Sequence, residues 1–241
     1  MTERRIRERA ITLSGLEARA IVEGRQTQVC IPVSAHQVEV ADICTEATWN
    51  AQKAHQAMAV PPFRFLDAQG RAFALPPYAN VGDRLWGREA WRTAESLDER
   101  SPSAMGEMCL DAGYSKPWAP LLYEADGHRN SEWRGFGLRP EDARPGKLRP
   151  STHMPRWASR IVLEVTALRV ERLHGISEAD ARAQGAPCVD EFTGREVLFP
   201  DACNAGSWRL GHRVLWEKIH GPSAWRSNPL VWCISFRKIS P

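Results

Sequence analysis

Apolar and polar positions alternate most clearly between Arg160 and Leu173. Ile161, Leu163 and Val165 interleave with Val162, Glu164 and Thr166, and the alternation resumes with Leu168, Val170 and Arg172. Side chains along an extended strand point to opposite faces in turn, so a period of two predicts the longest strand here. The same pattern predicts a final strand in which Leu230, Trp232, Ile234 and Phe236 share a face. Phe63-Arg64-Phe65-Leu66 and Ala72-Phe73-Ala74-Leu75 flank Asp67-Ala68-Gln69-Gly70 and read as a hairpin. Gly82-Asp83 reads as a turn feeding a strand to Trp91, with Leu85, Gly87, Glu89 and Trp91 on one face and Trp86, Arg88 and Ala90 on the other. Leu121 to Ala125 and Thr27 to Ile31 are shorter strand candidates.

Helical signals are fewer. Residues 1–10 are a charged lead-in, and residues 11–31 hold a first strand, a helix and a second strand. Ser14 and Glu17 form a capping box ahead of Ala18, Ile21 and Val22, and Gly24 supplies a stop. Ser177 caps a helix that runs to Gln184, with Gly185 beyond it. Trp208 to Ile219 is a helix closed by Gly221-Pro222, and Glu46–Met58 carries a further helical pattern. Residues 32–62, 93–119 and 186–207 are weakly patterned and read as insertions, and residues 126–150 as a loop. Strands dominate and helices are short, which is an α+β pattern.

The length of 241 residues suits one large domain, or one domain with long insertions. The net charge of +3 is modest, but its makeup is lopsided: 27 Arg stand against 5 Lys. Arginine offers a planar fork for phosphate and stacks on aromatic rings, although GC-rich codon usage produces the same excess. Ten Trp serve either the core or base stacking. The six Cys (30, 44, 109, 188, 203, 233) show no zinc spacing, so no metal or cofactor is expected. No apolar run of about 18 residues and no signal-peptide core are visible. The expectation is a cytoplasmic protein with reduced thiols and no membrane partner.

Five blocks resemble, in the expected order, the ASCH-type proteins common in bacteriophages and prophages. They are EGRQTQ, VGDRLWGREAW, LLYEADG, RPSTHMPRWASRIVLEVTALRVERLHGISEADARAQGA and LWEKIHGPSAWRSNPLVWCISF. The resemblance implies a single PUA-like β-pseudobarrel over residues 1–241, with short helices at the barrel ends and the three insertions as long loops. It also implies an RNA or modified-nucleotide ligand and a bacterial host cytoplasm. One branch of the family hydrolyses acetylated cytidine with a Lys/Thr/Glu set. Carried over by position, that set becomes Gln26, Val29 and Gln184. Val29 has no nucleophilic atom, Gln26 exchanges no proton near neutrality and Gln184 carries no charge, so this hydrolysis is expected to be lost. A slip in register at Gln184 would bring Glu178 or Asp180 forward instead.

Arg25, Arg88, Arg156 and Trp157 are the expected binding contacts, for phosphate and for stacking. Each has a plainer use: Arg25 closes a helix dipole, Arg156 bonds a carboxylate, and Trp157 packs in the core. Lys147 and Arg149 extend a basic rim or are solvated charge. Glu89, His153 and Lys147 are the acids and bases from which a rearranged nucleobase hydrolase or ribonuclease site would be built. Glu89 serves equally in a structural ion pair. Cys30, one residue from Val29, is expected to face away from the site. His212, Trp216 and His220 share a helical face and read as packing. A third alternative is a protein that uses its insertions to bind a protein partner.

Overall fold

The computed structural model describes residues 6–34, 40–43, 63–75, 77–130, 144–190, 193–197 and 206–239. The helical pattern over Glu46–Met58 lies outside these residues. The chain divides into two compact units. Unit 1 comprises Met1–Gln26, Asp83–Glu164 and Arg237–Pro241; unit 2 comprises Thr27–Gly82 and Val165–Phe236. Two strands, β9 (Val162–Arg172) and β10 (Leu230–Ile239), pass from one unit into the other. The class is α+β, with a mixed five-stranded sheet that runs in the order β1 (Glu8–Thr12), β6 (Arg84–Arg88), β9, β10, β2 (Gln28–Pro32) and does not close into a ring among the described residues.

In unit 1, β1 (Glu8–Thr12) runs parallel to β6 (Arg84–Arg88), with Glu8 opposite Arg84, Ala10 opposite Trp86 and Thr12 opposite Arg88. The strand starts inside the charged lead-in, earlier than its apolar content predicts. The β6 strand is also antiparallel to the first residues of β9. Leu85 and Gly87 are buried and Trp86 and Arg88 half-buried, as the alternation predicts. A Cβ on Gly87 would sit 2.7 Å from Leu13 Cδ1 and 3.0 Å from Ile161 Cβ, so only hydrogen fits there. Between β1 and β6 in sequence, α1 (Gly15–Val22) keeps its predicted capping box: Glu17 N donates to Ser14 Oγ at 3.3 Å, and Ser14 N to Glu17 Oε2 at 2.8 Å.

The predicted strand to Trp91 is broken. It ends at Arg88 and resumes as β7 (Trp91–Thr93), which pairs with β8 (Leu121–Tyr123). The insertion 93–119 holds a helix the sequence reading left out, α2 (Pro102–Asp111). Ser101 caps it and proline opens it, but only Met105, Gly106 and Cys109 are buried. So narrow an apolar stripe is easily lost among polar neighbours. Trp91, Leu97, Met105, Leu121, Tyr123 and Met154 form the core around it.

In unit 2, β2 (Gln28–Pro32) is antiparallel to β10, with Cys30 opposite Cys233 and Val29 opposite Ile234. The predicted hairpin forms as β4 (Phe63–Asp67) and β5 (Ala72–Leu75), extended by β3 (Val40–Ile43). The helices α3 (Glu178–Ala183) and α4 (Trp208–His220) are both as predicted to within a residue or two. Glu178 joins them: its carboxylate accepts from Trp208 N at 2.6 Å and Arg209 N at 3.2 Å, a negative charge on the exposed donors of the α4 N-terminus. A Cβ on Gly211 would collide with the Pro187 carbonyl, so glycine sets how closely α4 approaches that segment. No helix among the described residues is long and apolar enough to cross a membrane.

His212 is 2% exposed on α4, and neither ring nitrogen has a hydrogen-bond partner among the described residues. Trp216 and Trp225 pack against it. Burial, with a smaller contribution from His220, pushes its pKa down from 6.5 to about 4. The folded state therefore binds this proton less readily than the unfolded chain. The stability it permits is full above pH 6.5 and falls as pH drops towards 4, by about 3 kcal/mol from this group. Denaturant titrations at both ends of that window should show a smaller acid loss in His212→Phe than in the parent. Equal losses would contradict the assignment.

Candidate nucleic-acid interface

The outward positions of β1, β6 and β9 in unit 1 place arginines around one aromatic ring. Arg84, Trp86 and Arg88 alternate outward on β6, with Glu8 and Thr12 beside them on β1 and Glu164 on β9. The Arg88 guanidinium lies 5.8 Å from the centre of the Trp86 ring. Glu8 receives Arg156 Nε at 3.0 Å and lies 3.9 Å from Arg84. The Arg156 hydrogen bond, against some opposing burial, holds the Glu8 carboxyl below the usual range. Glu164 receives Arg237 at 2.9 Å. Four guanidinium groups, of Arg84, Arg88, Arg156 and Arg237, thus share two carboxylates.

Among the described residues, Arg88 is the one of these four without a carboxylate partner. Its described partners are neutral oxygens: Thr152 O at 3.3 Å and Thr12 Oγ1 at 3.2 Å. Its Nε is buried and donates to nothing among the described residues. A guanidinium held beside a half-buried ring by neutral oxygens suits a phosphate next to a stacked base.

The expected contacts are distributed differently. Arg156 is on this face. Arg25 follows α1, is half exposed and bonds Glu23 at 2.6 Å. The nearby Lys238 Nζ donates to Val22 O at 3.2 Å, tying the end of α1 to the strand end that carries Arg237. Trp157 instead packs against the core cluster of Met105 and Tyr123, the plainer of its two readings. Trp86, not among the expected contacts, takes the position beside the arginines. The signal was present, since Trp86 and Arg88 share strand parity. Arg149 is no rim residue: it is buried and donates to the carbonyls of Leu97, Asp98 and Arg100.

The alternative acids and bases do not assemble. Glu89 is 1% exposed and accepts Arg160 through both oxygens, at 2.8 and 2.9 Å. Asp126 binds the same guanidinium at 2.8 Å. Burial opposes the Asp126 charge, but the hydrogen bonds from Arg160 and from His128 N, with the charge of Arg160, together hold that carboxyl below its usual range. Tyr123 lies 4.1 Å beneath the Arg160 guanidinium, and burial pushes its hydroxyl up to about 12. His153 is exposed on a 3₁₀ turn, and exposed Lys147 lies 3.7 Å from Glu99. No hydrogen bond or ion pair among the described residues joins Glu89, His153 and Lys147.

At the positions of the amidohydrolase set, Gln26, Val29 and Gln184 are each 4% exposed. In unit 2, Gln184 Nε2 donates to Cys30 Sγ at 2.9 Å and approaches Gln28 Oε1 at 3.4 Å. The expectation that Cys30 faces away is therefore corrected: Gln28 and Cys30, not Val29, meet Gln184, because alternate residues of β2 share that side. Asp180 is held by Gln28, Ser177 and Arg169, and Glu178 by α4, so neither substitute acid is uncommitted.

Glu89→Ala would leave Arg160 buried with only Asp126, and it should destabilise the protein by about 3 kcal/mol. A thermal melt checks this; an unchanged melt would show that the pair contributes nothing to the fold.

No family model, no curated protein and no solved structure matches this chain.

Proposed function

We propose that the chain is a binding protein for RNA or a modified nucleotide, of ASCH type with a PUA-like pseudobarrel, and without the amidohydrolase activity of one branch of that family. The observation that supports this reading is Arg88, whose guanidinium has only neutral partners among the described residues and lies beside the Trp86 ring. Arg84, Arg156 and Arg237 supply further positive charge in exchangeable ion pairs, and Arg25 extends the footprint past α1. Phosphate oxygens would replace Glu8 and Glu164 as acceptors for the arginine forks. Against hydrolysis stand the chemistry and burial of Gln26, Val29 and Gln184. The rearranged-site enzyme is disfavoured because Glu89 is consumed by Arg160.

Titration of a short single-stranded RNA at several salt concentrations tests the reading. Arg88→Ala, Arg156→Ala and Arg25→Ala should each reduce the salt slope by about one unit. Trp86→Ala should weaken binding by roughly 1–3 kcal/mol with little change of slope. Trp157→Ala should lower the melting temperature instead. Absence of RNA and nucleotide binding by the parent at low salt would remove the proposal and favour a protein partner. Cytidine release from N4-acetylcytidine should be undetectable, and turnover would contradict the assignment of Gln26, Val29 and Gln184.

A further inference from the structure

Cys30 and Cys233 stand directly opposite each other on β2 and β10, within unit 2. Opposed residues of an antiparallel pair have Cα atoms about 4.5–5.5 Å apart, inside the span of about 4.4–6.8 Å that a disulfide bridges. Both are free thiols, and their sulfurs lie 3.1 Å apart. They are buried but unequally so, at 7% exposure for Cys30 and 1% for Cys233.

The polar groups around them form one directed chain. Gln184 Nε2 donates to Cys30 Sγ at 2.9 Å. Cys233 Sγ donates to Glu171 Oε1 at 3.1 Å. With the Cys233 hydrogen committed to Glu171, the Cys30 hydrogen is the one directed at Cys233 Sγ. Arg169 lies 3.1 Å from Glu171 and 2.7 Å from Asp180, so the acceptor of the Cys233 hydrogen is itself held in place by a guanidinium. The hydrogen bond with Cys30, burial and the Glu171 carboxylate all raise the Cys233 pKa, so Cys233 rests as the thiol. A pair placed only to fill the core would need neither the amide donor nor the carboxylate acceptor.

We propose that Cys30 and Cys233 are a redox-active pair that a small peroxide oxidises to a cross-strand disulfide. Cys30, the more exposed sulfur, attacks one peroxide oxygen; the O–O bond breaks, water leaves and Cys30 becomes a sulfenic acid. Cys233 then attacks the Cys30 sulfur. Its proton passes to Glu171, the S–O bond breaks, and the released hydroxide takes that same proton from Glu171 to leave as a second water, which restores the carboxylate. Peroxide is reduced by two electrons and the two thiols are oxidised by two. Burial of the pair restricts this step to oxidants of about the size of hydrogen peroxide, because larger ones do not reach a sulfur this enclosed.

The test exposes the folded protein to hydrogen peroxide, blocks remaining thiols under denaturing conditions and maps peptides without reduction. The expected result is loss of two of the six thiols, a linked peptide pair containing Cys30 and Cys233, and recovery of both thiols with dithiothreitol. Cys30→Ser and Cys233→Ser should each abolish the link, with melts confirming that the variants fold. Mapping of the unmodified chain decides the matter even if they do not. The proposal is overturned if both thiols stay alkylatable while free glutathione in the same solution is oxidised. It is equally overturned if Cys30 accumulates as a sulfinic acid without a link, or if the link forms only in denaturant.

Discussion

Unit 1 depends on the neutralisation of one buried charge. Arg160 precedes β9, Glu89 follows β6 and Asp126 follows β8, so a single guanidinium gathers three segments distant in sequence. An ionised carboxylate as enclosed as Glu89 would be untenable alone, and its two hydrogen bonds from a planar fork make it tenable. Tyr123 closes the underside with its ring and donates its hydroxyl to Ala158 O at 3.0 Å. With Glu89 drawn inward, strand parity turns Trp86 and Arg88 outward. The candidate interface is thus a geometric consequence of a structural ion pair.

Charge is distributed unevenly on that outward face. Arg84, Arg156 and Arg237 have carboxylates at hand, and such exposed pairs are weak enough to exchange partners. Arg88 has carbonyl and hydroxyl oxygens instead, which leave its charge unmet. Lysine in these places would supply charge without the bidentate geometry, which gives the excess of arginine a physical use here.

Unit 2 satisfies its buried polar groups differently. Gln28 donates to Asp180 at 3.2 Å and Gln184 donates to a cysteine sulfur. Amides can be enclosed without ionising, and each has donors and an acceptor to place. A Lys and a Glu in the same enclosure would demand full charge compensation. Glutamine therefore suits burial at positions 28 and 184, and Gln184 brings its amide to the Cys30 sulfur.

Alternation in the sequence determined the strands β6, β9 and β10 and the hairpin of β4 and β5, and capping and stop residues determined the ends of the helices α1, α3 and α4. Alternation also determined that Trp86 and Arg88 share a face. The helix α2 was hidden because three buried residues make too narrow a stripe to register as a period. Tertiary structure decided everything that depends on contact between distant segments. It committed Glu89 to Arg160, Arg149 to three carbonyls and Trp157 to the core. It set Gln184 against Cys30, and it placed Cys30 across from Cys233. A sequence lists the charges and thiols of a chain, but which of them meet is set by strand order and register, and those are fixed only when the segments pack.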